Sequence, residues 1–243
     1  MKLTPELIAQ APSALNPLKE RQLDLRGHKI PAIENLGITK DQHDAIDLTD
    51  NAITTLGNVP LMRRLRTLLL ANNRISALSQ SLHLSVPNLT TLVLTNNNIS
   101  ELGDLEPLKD MKSLKYLSLL GNPVREKKWY RDWLVWRISG LRVLDFQRIK
   151  DKERQQAKGL FLTSDNLPNT LATQLSTTVS STTTATITTD EPRPTPKAGR
   201  LMSKEEADRV RQAIADATSV EEVRRLERSL REGYLPGVDA VGA

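Results

Sequence analysis

The sequence predicts an α/β solenoid, and two observations lead to this prediction. One pattern, Leu-x-x-Leu-x-Leu-x-x-Asn-x-Ile/Val, occurs three times in full, beginning at Leu65, Leu89 and Leu114. Two shorter copies lie upstream, and the five positions equivalent to the asparagine are 22 to 25 residues apart, at 28, 51, 73, 97 and 122. That spacing lies within the period of about 20–29 residues that is typical of leucine-rich repeats. We therefore predict a leucine-rich-repeat solenoid.

The array is predicted to begin with a helical cap and to end with a degenerate strand. In residues 1–19, Thr4 as N-cap and Pro5 at the first helical position indicate a short helix that covers the open end of the first repeat. The first repeat carries His28 where the later copies have asparagine. The segment 141–146 keeps the leucines of a strand but lacks an asparagine, which indicates the close of the array.

The physical chemistry of the repeat explains its residues. The leucines of Leu-x-Leu point to one side of a short strand and are expected to be buried inside the solenoid. The asparagine lies where the chain turns out of the strand, so its side-chain amide can pair with backbone groups that would otherwise be buried without partners. Stacked strands then form a parallel sheet on the concave face, and the intervening segments return along the convex side.

Composition divides the chain into three predicted segments: a capped leucine-rich-repeat domain over 1–162, a disordered Thr/Ser/Pro linker over 163–200 and a C-terminal helix pair over 201–237. The linker composition cannot bury enough apolar surface to fold. Two capping-box patterns, beginning at Ser203 and Thr218, start the helices of the pair, which we place over 203–232. Two helices of this length are too small to be stable alone, so we expect them to dock on another surface.

Composition also favours a soluble, intracellular protein without enzyme activity. The chain has no cysteine, which excludes a disulfide framework and a cysteine-based metal site and favours a reducing compartment. The N-terminus lacks the apolar core of a signal peptide, and no apolar run is long enough to span a membrane. The three histidines lie in repeat positions, and no phosphate-binding loop or Ser/His/Asp order is present. We expect no catalytic residue, cofactor or metal.

Positive charge is concentrated at the C-terminal end of the predicted solenoid. Residues 125–158 contain eleven basic and five acidic side chains, a net charge of +6, whereas the whole chain carries +5. Such a basic end suggests contact with a polyanion, and RNA is the candidate. Charge alone makes some side chains of this cluster candidate RNA contacts. The alternative is a solvated helical face, which is the simpler interpretation of Lys152 and its neighbours Glu153 and Arg154.

Five of the eight aromatic residues lie in the same stretch. Aromatic side chains beside basic ones can stack on the bases of single-stranded RNA. However, Trp129, Trp133 and Trp136 are spaced by four and three residues, which places them on one face of a helix. That spacing predicts a capping helix that buries this face on the last repeat. No motif of a sequence-specific RNA-binding domain is present.

The residues that alternate with the buried leucines are predicted to point outward from the sheet. The first two strands present charges, and the middle three present an apolar stripe. Adjacent exposed apolar side chains rimmed by polar groups mark a protein-binding surface, although scattered exposed aliphatics carry no such meaning. A concave surface of this kind suits a convex partner such as a helix. The predicted partner-binding residues are Asp24, Arg26, Asp47, Leu69, Val93, Tyr116 and Leu120.

Several strings exceed the generic repeat consensus. They include Leu23-Asp-Leu-Arg-Gly-His-Lys-Ile-Pro-Ala-Ile-Glu-Asn-Leu-Gly37, Glu101-Leu-Gly-Asp-Leu105, Gly121-Asn-Pro-Val124 and Val143-Leu-Asp-Phe-Gln147. Together they resemble the A-prime subunits of the U2 small nuclear ribonucleoprotein. The resemblance covers residues 1–160 and resumes at 205–237. It skips the linker, which is rich in Thr and Ser where basic residues would be expected.

The resemblance implies a nuclear scaffold of the spliceosome that acts in pre-mRNA splicing. Members of this family hold a helix of the B-double-prime protein, an RNA-recognition-motif protein, in the concave face, and the pair binds a stem-loop of U2 small nuclear RNA. By this resemblance Lys150 and its basic neighbours Arg148 and Lys152 touch the RNA stem, while the partner reads the loop. The alternatives are a leucine-rich-repeat regulator of a protein phosphatase and a nuclear chaperone of the histone-chaperone type; the latter lacks support because the chain has no acidic tail.

Overall fold

A computed structural model describes residues 2–163, 165 and 167–180 of the chain. The strands are β1 (Ser13–Leu15), β2 (Arg21–Asp24), β3 (Ala45–Asp47), β4 (Thr55–Leu56), β5 (Thr67–Leu69), β6 (Ala77–Leu78), β7 (Thr91–Val93), β8 (Tyr116–Ser118), β9 (Val143–Leu144) and β10 (Gln147–Arg148). The α-helices are α1 (Pro5–Gln10), α2 (Leu82–Ser85), α3 (Tyr130–Arg137), α4 (Asp151–Phe161) and α5 (Thr170–Thr177). The 3₁₀ helices are η1 (Leu36–Thr39), η2 (Gly103–Asp110) and η3 (Pro123–Glu126).

One sheet runs the length of the solenoid. Its eight strands follow the order β1-β2-β3-β5-β7-β8-β9-β10. The six inner strands, β2 to β9 in that order, are parallel, and the register is regular: Ile46 pairs with Leu68, Leu68 with Leu92 and Leu92 with Leu117. An antiparallel strand covers each end of the sheet, β1 against β2 and β10 against β9. The predicted parallel sheet of a leucine-rich-repeat solenoid is therefore confirmed.

The asparagine ladder satisfies the backbone at four successive turns between repeats. The Asn97 amide is a representative case, because it accepts from the Ile75 N–H at 2.9 Å and donates to the Leu70 and Leu94 carbonyls at 2.9 and 3.0 Å. The same arrangement recurs at Asn51, Asn73 and Asn122, each buried. Each asparagine thus bonds two successive repeats, which explains why this residue type is needed at this spacing.

The N-terminal cap is also as the sequence predicts. Thr4 is the N-cap of α1, its hydroxyl accepts from the Leu7 N–H at 3.3 Å, and Pro5 occupies the first turn. Ile8 on this helix and the preceding Leu3 are both buried in the core. The helix therefore covers the apolar end of the first repeat, where no neighbouring repeat is present to do so.

The C-terminal cap buries the tryptophans instead of presenting them. Trp133 is fully buried in α3, and Trp136 lies against Phe161 of α4 with ring centroids 5.2 Å apart. Trp129 stands before the helix as its N-cap, with a left-handed backbone at φ 71°, and packs against the core. These contacts support the capping interpretation of the aromatic cluster and leave Trp133 unavailable for stacking on RNA bases.

One boundary predicted from the sequence is wrong. Residues 167–180 were predicted to belong to the disordered linker, but α5 lies within them and packs on η2. Ala172 is fully buried, and the Thr178 carbonyl accepts from the Gly103 N–H at 3.1 Å. A side chain at position 103 would collide with that carbonyl, so the contact requires glycine there. Averaged Thr/Ser composition concealed the short helical spacing of Leu171, Ala172 and Leu175.

The remaining predictions about the C-terminal segment fall on residues that the structure does not describe. These are the rest of the linker, over 181–200, and the helix pair over 201–237. Among the described residues, no helix combines the length and the apolar character that crossing a membrane requires.

Candidate interfaces for a partner protein and for RNA

The charged end of the concave face consists of Asp24, Arg26 and Asp47. Arg26 binds Asp24 through two nitrogens at 2.6 and 2.9 Å and lies 3.6 Å from Asp47. The Arg26 guanidinium holds the pKa of the Asp24 carboxyl below its usual value, mainly through this hydrogen bond. These three predicted partner-binding residues therefore already bind one another, so an incoming partner would have to replace existing contacts.

A loop between β1 and β2 projects Leu18 over the sheet. The Asn16 side-chain oxygen accepts from the N–H groups of Leu18 and Glu20 at 3.0 and 2.9 Å, which closes the loop. The Thr67 hydroxyl donates to the Glu20 carboxylate at 3.2 Å and ties the loop to β5. As a result Leu18 is 76 % exposed on a rigid support. No periodic signal in the sequence indicated this residue.

The apolar groove is a cavity of about 410 Å³ on the concave face between Leu18 and Phe146. Its lining is almost wholly apolar, and Val93 and Tyr116 form its centre on the neighbouring strands β7 and β8. The complete lining is Leu18, Thr91, Leu92, Val93, Tyr116, Leu117, Ser118, Val143 and Phe146. A groove of this shape and chemistry can receive the apolar side of an amphipathic helix.

Phe146 forms the far wall of the groove from a strained position. Asp145 and Phe146 make the two-residue turn between β9 and β10, with φ of 51° and 62°. A bulky residue in the left-handed region costs on the order of 1–2 kcal/mol. The turn nevertheless holds Phe146 with 76 % of its surface exposed. Strain combined with the exposure of a large apolar ring suggests selection for binding and not for stability.

Asp145 holds this turn in place from the other side. Its carboxylate accepts from the Leu119 N–H at 2.7 Å and from the Tyr130 hydroxyl at 2.8 Å. Burial, together with the Asp145 carboxylate, raises the pKa of the Tyr130 hydroxyl, which therefore stays protonated as the donor. In earlier repeats the equivalent N–H, that of Leu94, donates to the Ser118 carbonyl of the next strand, so the Asp145 carboxylate takes the place of a strand carbonyl at the last repeat.

The structure separates the predicted partner-binding residues into groups. Val93 and Tyr116 line the apolar groove, and Tyr116 is 47 % exposed. Leu69 pairs with Val93 across β5 and β7, so it lies beside the groove, and half-buried Leu120 follows β8. The charged end does not line the groove. Leu18, Val143 and Phe146 belong to the groove although they were not among the predicted site residues.

Several basic side chains at the C-terminal end of the solenoid form ion pairs within the protein. Arg131 binds Glu153 at 2.8 Å, Lys127 binds Glu101 at 2.5 Å, and Arg137 pairs with Glu106. Arg154 donates to the carbonyls of Ser139 and Leu141, so it fastens α4 to the last repeat. These side chains stabilise the cap, and their charge is already balanced or engaged.

The three predicted RNA contacts lie together where β10 leads into α4. Arg148 belongs to β10, Lys150 is the N-cap of α4 and Lys152 lies in its first turn. All three are exposed, and none forms an ion pair with an acidic side chain in the described part of the chain. Burial raises the pKa of the nearby Glu153 carboxyl, but hydrogen bonds from Arg131 and the Lys150 N–H outweigh it and leave the pKa below its usual value. Glu153 is thus a charged partner of Arg131 and leaves the three basic side chains free to bind phosphate.

The described residues contain no candidate metal site. No group of three or more His, Asp or Glu side chains there could hold a metal ion. His43 is buried and its Nε2 lies 3.1 Å from the Ser13 hydroxyl, while its Nδ1 has no partner. Burial, followed by the charges of Arg21 and Arg64, lowers the pKa of His43. Its contact with Ser13 of β1 indicates a structural role next to the first repeat.

Comparisons with known proteins identify relatives along nearly the whole chain. The leucine-rich-repeat family matches residues 1–173. The U2 small nuclear ribonucleoprotein A' of Aspergillus fumigatus is 50 % identical over 238 residues, which cover 98 % of this chain and 93 % of that protein. The protein of the same name from Homo sapiens is 46 % identical over 239 residues, 98 % of this chain and 90 % of that protein.

A solved structure agrees with these relatives. One chain in the crystal structure of the Drosophila melanogaster SNF/U2A' complex is 52 % identical to this chain and superposes with a TM-score of 0.66. The match covers 68 % of this chain and 95 % of the fly chain.

Proposed function

This chain belongs to the U2 small nuclear ribonucleoprotein A' family of leucine-rich-repeat proteins, and from that premise we propose how it works. It is a non-enzymatic scaffold subunit of the U2 small nuclear ribonucleoprotein in pre-mRNA splicing. Its apolar groove holds a helix of an RNA-recognition-motif protein of the B-double-prime type. The pair together binds a stem-loop of U2 small nuclear RNA, and the complex acts in the nucleus.

The single observation that carries this proposal is the apolar groove with Phe146 at its wall. An exposed aromatic ring in a strained turn lowers the stability of the isolated chain, so its presence is explained by a partner that covers it. Phe146, Tyr116 and Leu18 are the large side chains around the groove that have most to gain from burial. Aromatic anchors in a concave patch are also the residues that dominate binding energy at protein interfaces.

The chemistry of the occupant follows from the lining. Apolar walls with few hydrogen-bonding groups favour a helix that presents apolar residues on one side. The related fly chain was crystallised in a complex with SNF, which supports a protein occupant of this kind in the family. The charged end, Asp24, Arg26 and Asp47, would orient the partner at the rim, where charges affect association rate and specificity more than affinity.

Contact with RNA is assigned to Arg148, Lys150 and Lys152. The site offers cationic side chains: the nearby tryptophans are packed into the cap, and the exposed ring of Phe146 lines the apolar groove. Such a surface binds phosphates without reading bases, so sequence specificity has to come from the partner. The solenoid alone is expected to bind RNA weakly and without sequence preference.

Two measurements test the proposal. RNA sequencing after purification of the tagged full chain from nuclear extract should recover one abundant small nuclear RNA together with an RNA-recognition-motif protein. Recovery of a protein phosphatase or of histones, without that RNA, would favour one of the alternative functions instead.

The second measurement addresses the division of labour with purified components. Arg148→Ala combined with Lys150→Ala should weaken the complex of chain, partner and stem-loop equally for matched and mismatched loops. The salt dependence should flatten by roughly one unit of slope for each lost phosphate contact. If the isolated chain distinguishes the matched loop from a scrambled one without the partner, the assignment of specificity to the partner is wrong.

A further inference from the structure

A row of residues marks the edge of the sheet where the parallel strands begin. Backbone hydrogen bonds connect the row from strand to strand: the Thr90 N–H donates to the Arg66 carbonyl, the Lys115 N–H to the Thr90 carbonyl and the Arg142 N–H to the Lys115 carbonyl. Adjacent strands lie about 4.8 Å apart, so Arg66 and Lys115 begin strands that are roughly 10 Å apart. The row continues upstream through Asp44 to Arg21, and four of its six residues are basic.

A polar groove of about 590 Å³ lies along this edge. Every side chain that lines it is cationic or can form hydrogen bonds, and none is apolar: Arg63, Arg64, Arg66, Asn88, Thr90, Lys112, Ser113 and Lys115. We call it the basic groove. Its chemistry is opposite to that of the apolar groove on the concave face, which indicates a different kind of occupant.

Most of the charge in the basic groove is not neutralised by the protein. Arg64 is the exception, because its guanidinium binds Asp44 at 2.9 and 3.2 Å. Arg63, Arg66, Lys112 and Lys115 are exposed, and within the described residues none of them lies within ion-pair distance of a carboxylate. Arg66 does act on Asp44 through space, since its charge contributes to lowering the pKa of that carboxyl after the hydrogen bonds from Arg64 and Arg21.

We propose that the basic groove binds the sugar–phosphate backbone of RNA, as a second RNA contact distinct from Arg148, Lys150 and Lys152. Lys and Arg side chains that line a groove and lack internal partners neutralise phosphates and release counterions, which is the main source of affinity for nucleic acids. Hydroxyl and amide groups beside them, as at Thr90 and Asn88, commonly complete contacts with phosphate oxygens.

An acidic protein segment is the competing occupant, and the lining argues against it. Protein interfaces gain most of their binding energy from buried aromatic and apolar anchors, and this groove has none. A polyanion with evenly spaced charges matches a row of basic residues that repeats with the strands. A folded protein would instead need shape complementarity that an open polar groove does not provide.

Continuity along the edge links the basic groove to the RNA contacts proposed above. The Ile149 N–H donates to the Arg142 carbonyl, so Arg148 and Lys150 flank the next position in the same row. An RNA stem that touches Arg148 and Lys150 could therefore continue along Lys115 toward Arg66. This inference rests on the proposed function for the direction of the RNA, which the contacts with Arg148 and Lys150 would set. Other residues line the basic groove itself.

The test measures RNA binding by the full chain with a fluorescent RNA hairpin that is unrelated in sequence to U2 small nuclear RNA. The groove variant is Arg66→Gln combined with Lys115→Gln. The matched control, Arg74→Gln combined with Lys2→Gln, removes the same charge from exposed positions outside the groove. The slope of log affinity against log salt should flatten by roughly 1.5 to 2 in the groove variant and by much less in the control. Both variants replace exposed side chains, so both should melt at the same temperature as the wild type. A second groove variant, Arg63→Gln combined with Lys112→Gln, tests the same groove with different residues.

The outcomes separate the inference from the proposed function. Loss of RNA binding in Arg148→Ala/Lys150→Ala but not in either groove pair overturns the inference and leaves the proposed function standing. Loss only in the groove pairs supports the groove and contradicts the assignment of Arg148 and Lys150. No loss in any pair contradicts both. Equally tight, groove-dependent binding of a polyglutamate peptide would assign the groove to an acidic protein and overturn the RNA proposal.

Discussion

The N-terminal half of the concave face presents Asp24, Arg26 and Asp47, which bind one another, whereas the C-terminal half presents an apolar groove that nothing in the described chain covers. Both halves stand on the same parallel sheet with the same buried leucines and the same asparagine ladder. The difference therefore lies in the outward residues of the strands and in two side chains outside the strands, Leu18 of the β1–β2 loop and Phe146 of the β9–β10 turn.

This difference shows how a repeat protein separates stability from recognition. The ladder and the leucines determine that the strands stack, and they leave the outward positions free to vary. Polar side chains that already bond each other gain little from a partner, because an incoming group would have to replace an existing contact. Exposed apolar side chains gain from any partner that removes them from water. We accordingly assign most of the binding energy to the C-terminal half.

The largest expected effect comes from the ladder, which both halves share. Asn97→Ala would leave the Ile75 N–H buried without a partner and would remove one of the two amide donors to the Leu70 carbonyl, which keeps its bond from Asn73. A buried unsatisfied group costs about 1–3 kcal/mol and a lost hydrogen bond about 1 kcal/mol, so we expect unfolding to become easier by about 2–4 kcal/mol. Thermal denaturation followed by circular dichroism would measure it, and Asn98→Ala at the exposed neighbouring position should change stability by less than about 0.5 kcal/mol.

An Asn97→Ala variant as stable as the Asn98→Ala control would mean that the ladder does not support the sheet. The two halves of the concave face could then not be treated as standing on one sheet that the ladder supports.

The next largest effect is expected from removing α5, which packs on η2. A chain ending at Leu162 would lose Ala172 from the core and the bond between Gly103 and Thr178. We expect it to melt lower by the equivalent of about 1–3 kcal/mol, while a chain ending at Ser180 melts with the described solenoid intact. Affinity for the partner should be the same in both, because α5 packs on η2 and does not line the apolar groove. Equal melting of the two truncated chains would show that α5 contributes nothing to the cap.

The structure also revises what the sequence predicts about the apolar groove and the C-terminal cap. The alternation of buried and outward residues places Val93 and Tyr116 on the outward face, where both line the apolar groove, because within a strand the side-chain direction is fixed by a period of two. Leu18, Phe146 and α5 could not be found in this way. Leu18 is held by a hydrogen bond between Glu20 and Thr67, and α5 by contacts such as that of Ser180 with Asp104, which join residues far apart in the sequence. Phe146 depends on a turn with two left-handed residues, in which Asp145 is of a favoured type but Phe146 stands where glycine is expected.

The smallest effect is a dependence on pH that is confined to the N-terminal half. The pKa of His43 is lowered in the folded state by burial and by Arg21 and Arg64. Because the unfolded chain then binds the proton more tightly, stability is fully present above the ordinary histidine pKa of about 6.5 and declines as pH falls below it toward the folded pKa. Denaturant titrations between pH 7.5 and 5.5 should show this decline, and His43→Gln should reduce it. An unchanged decline in His43→Gln would assign it to other groups.

The central claim is that the apolar groove, and not the charged end, supplies the affinity for the partner. The most direct test is calorimetric titration of the RNA-recognition-motif partner into two variants that carry the same new charge, Val93→Glu in the groove and Thr49→Glu on the charged half. Val93→Glu should weaken binding by about 2–5 kcal/mol, because an unpaired carboxylate would be buried in the contact, and it should still melt cooperatively since the core leucines are unchanged. Thr49→Glu should weaken binding by less than about 1 kcal/mol. Wild-type affinity in Val93→Glu, or a larger loss in Thr49→Glu, would contradict the account.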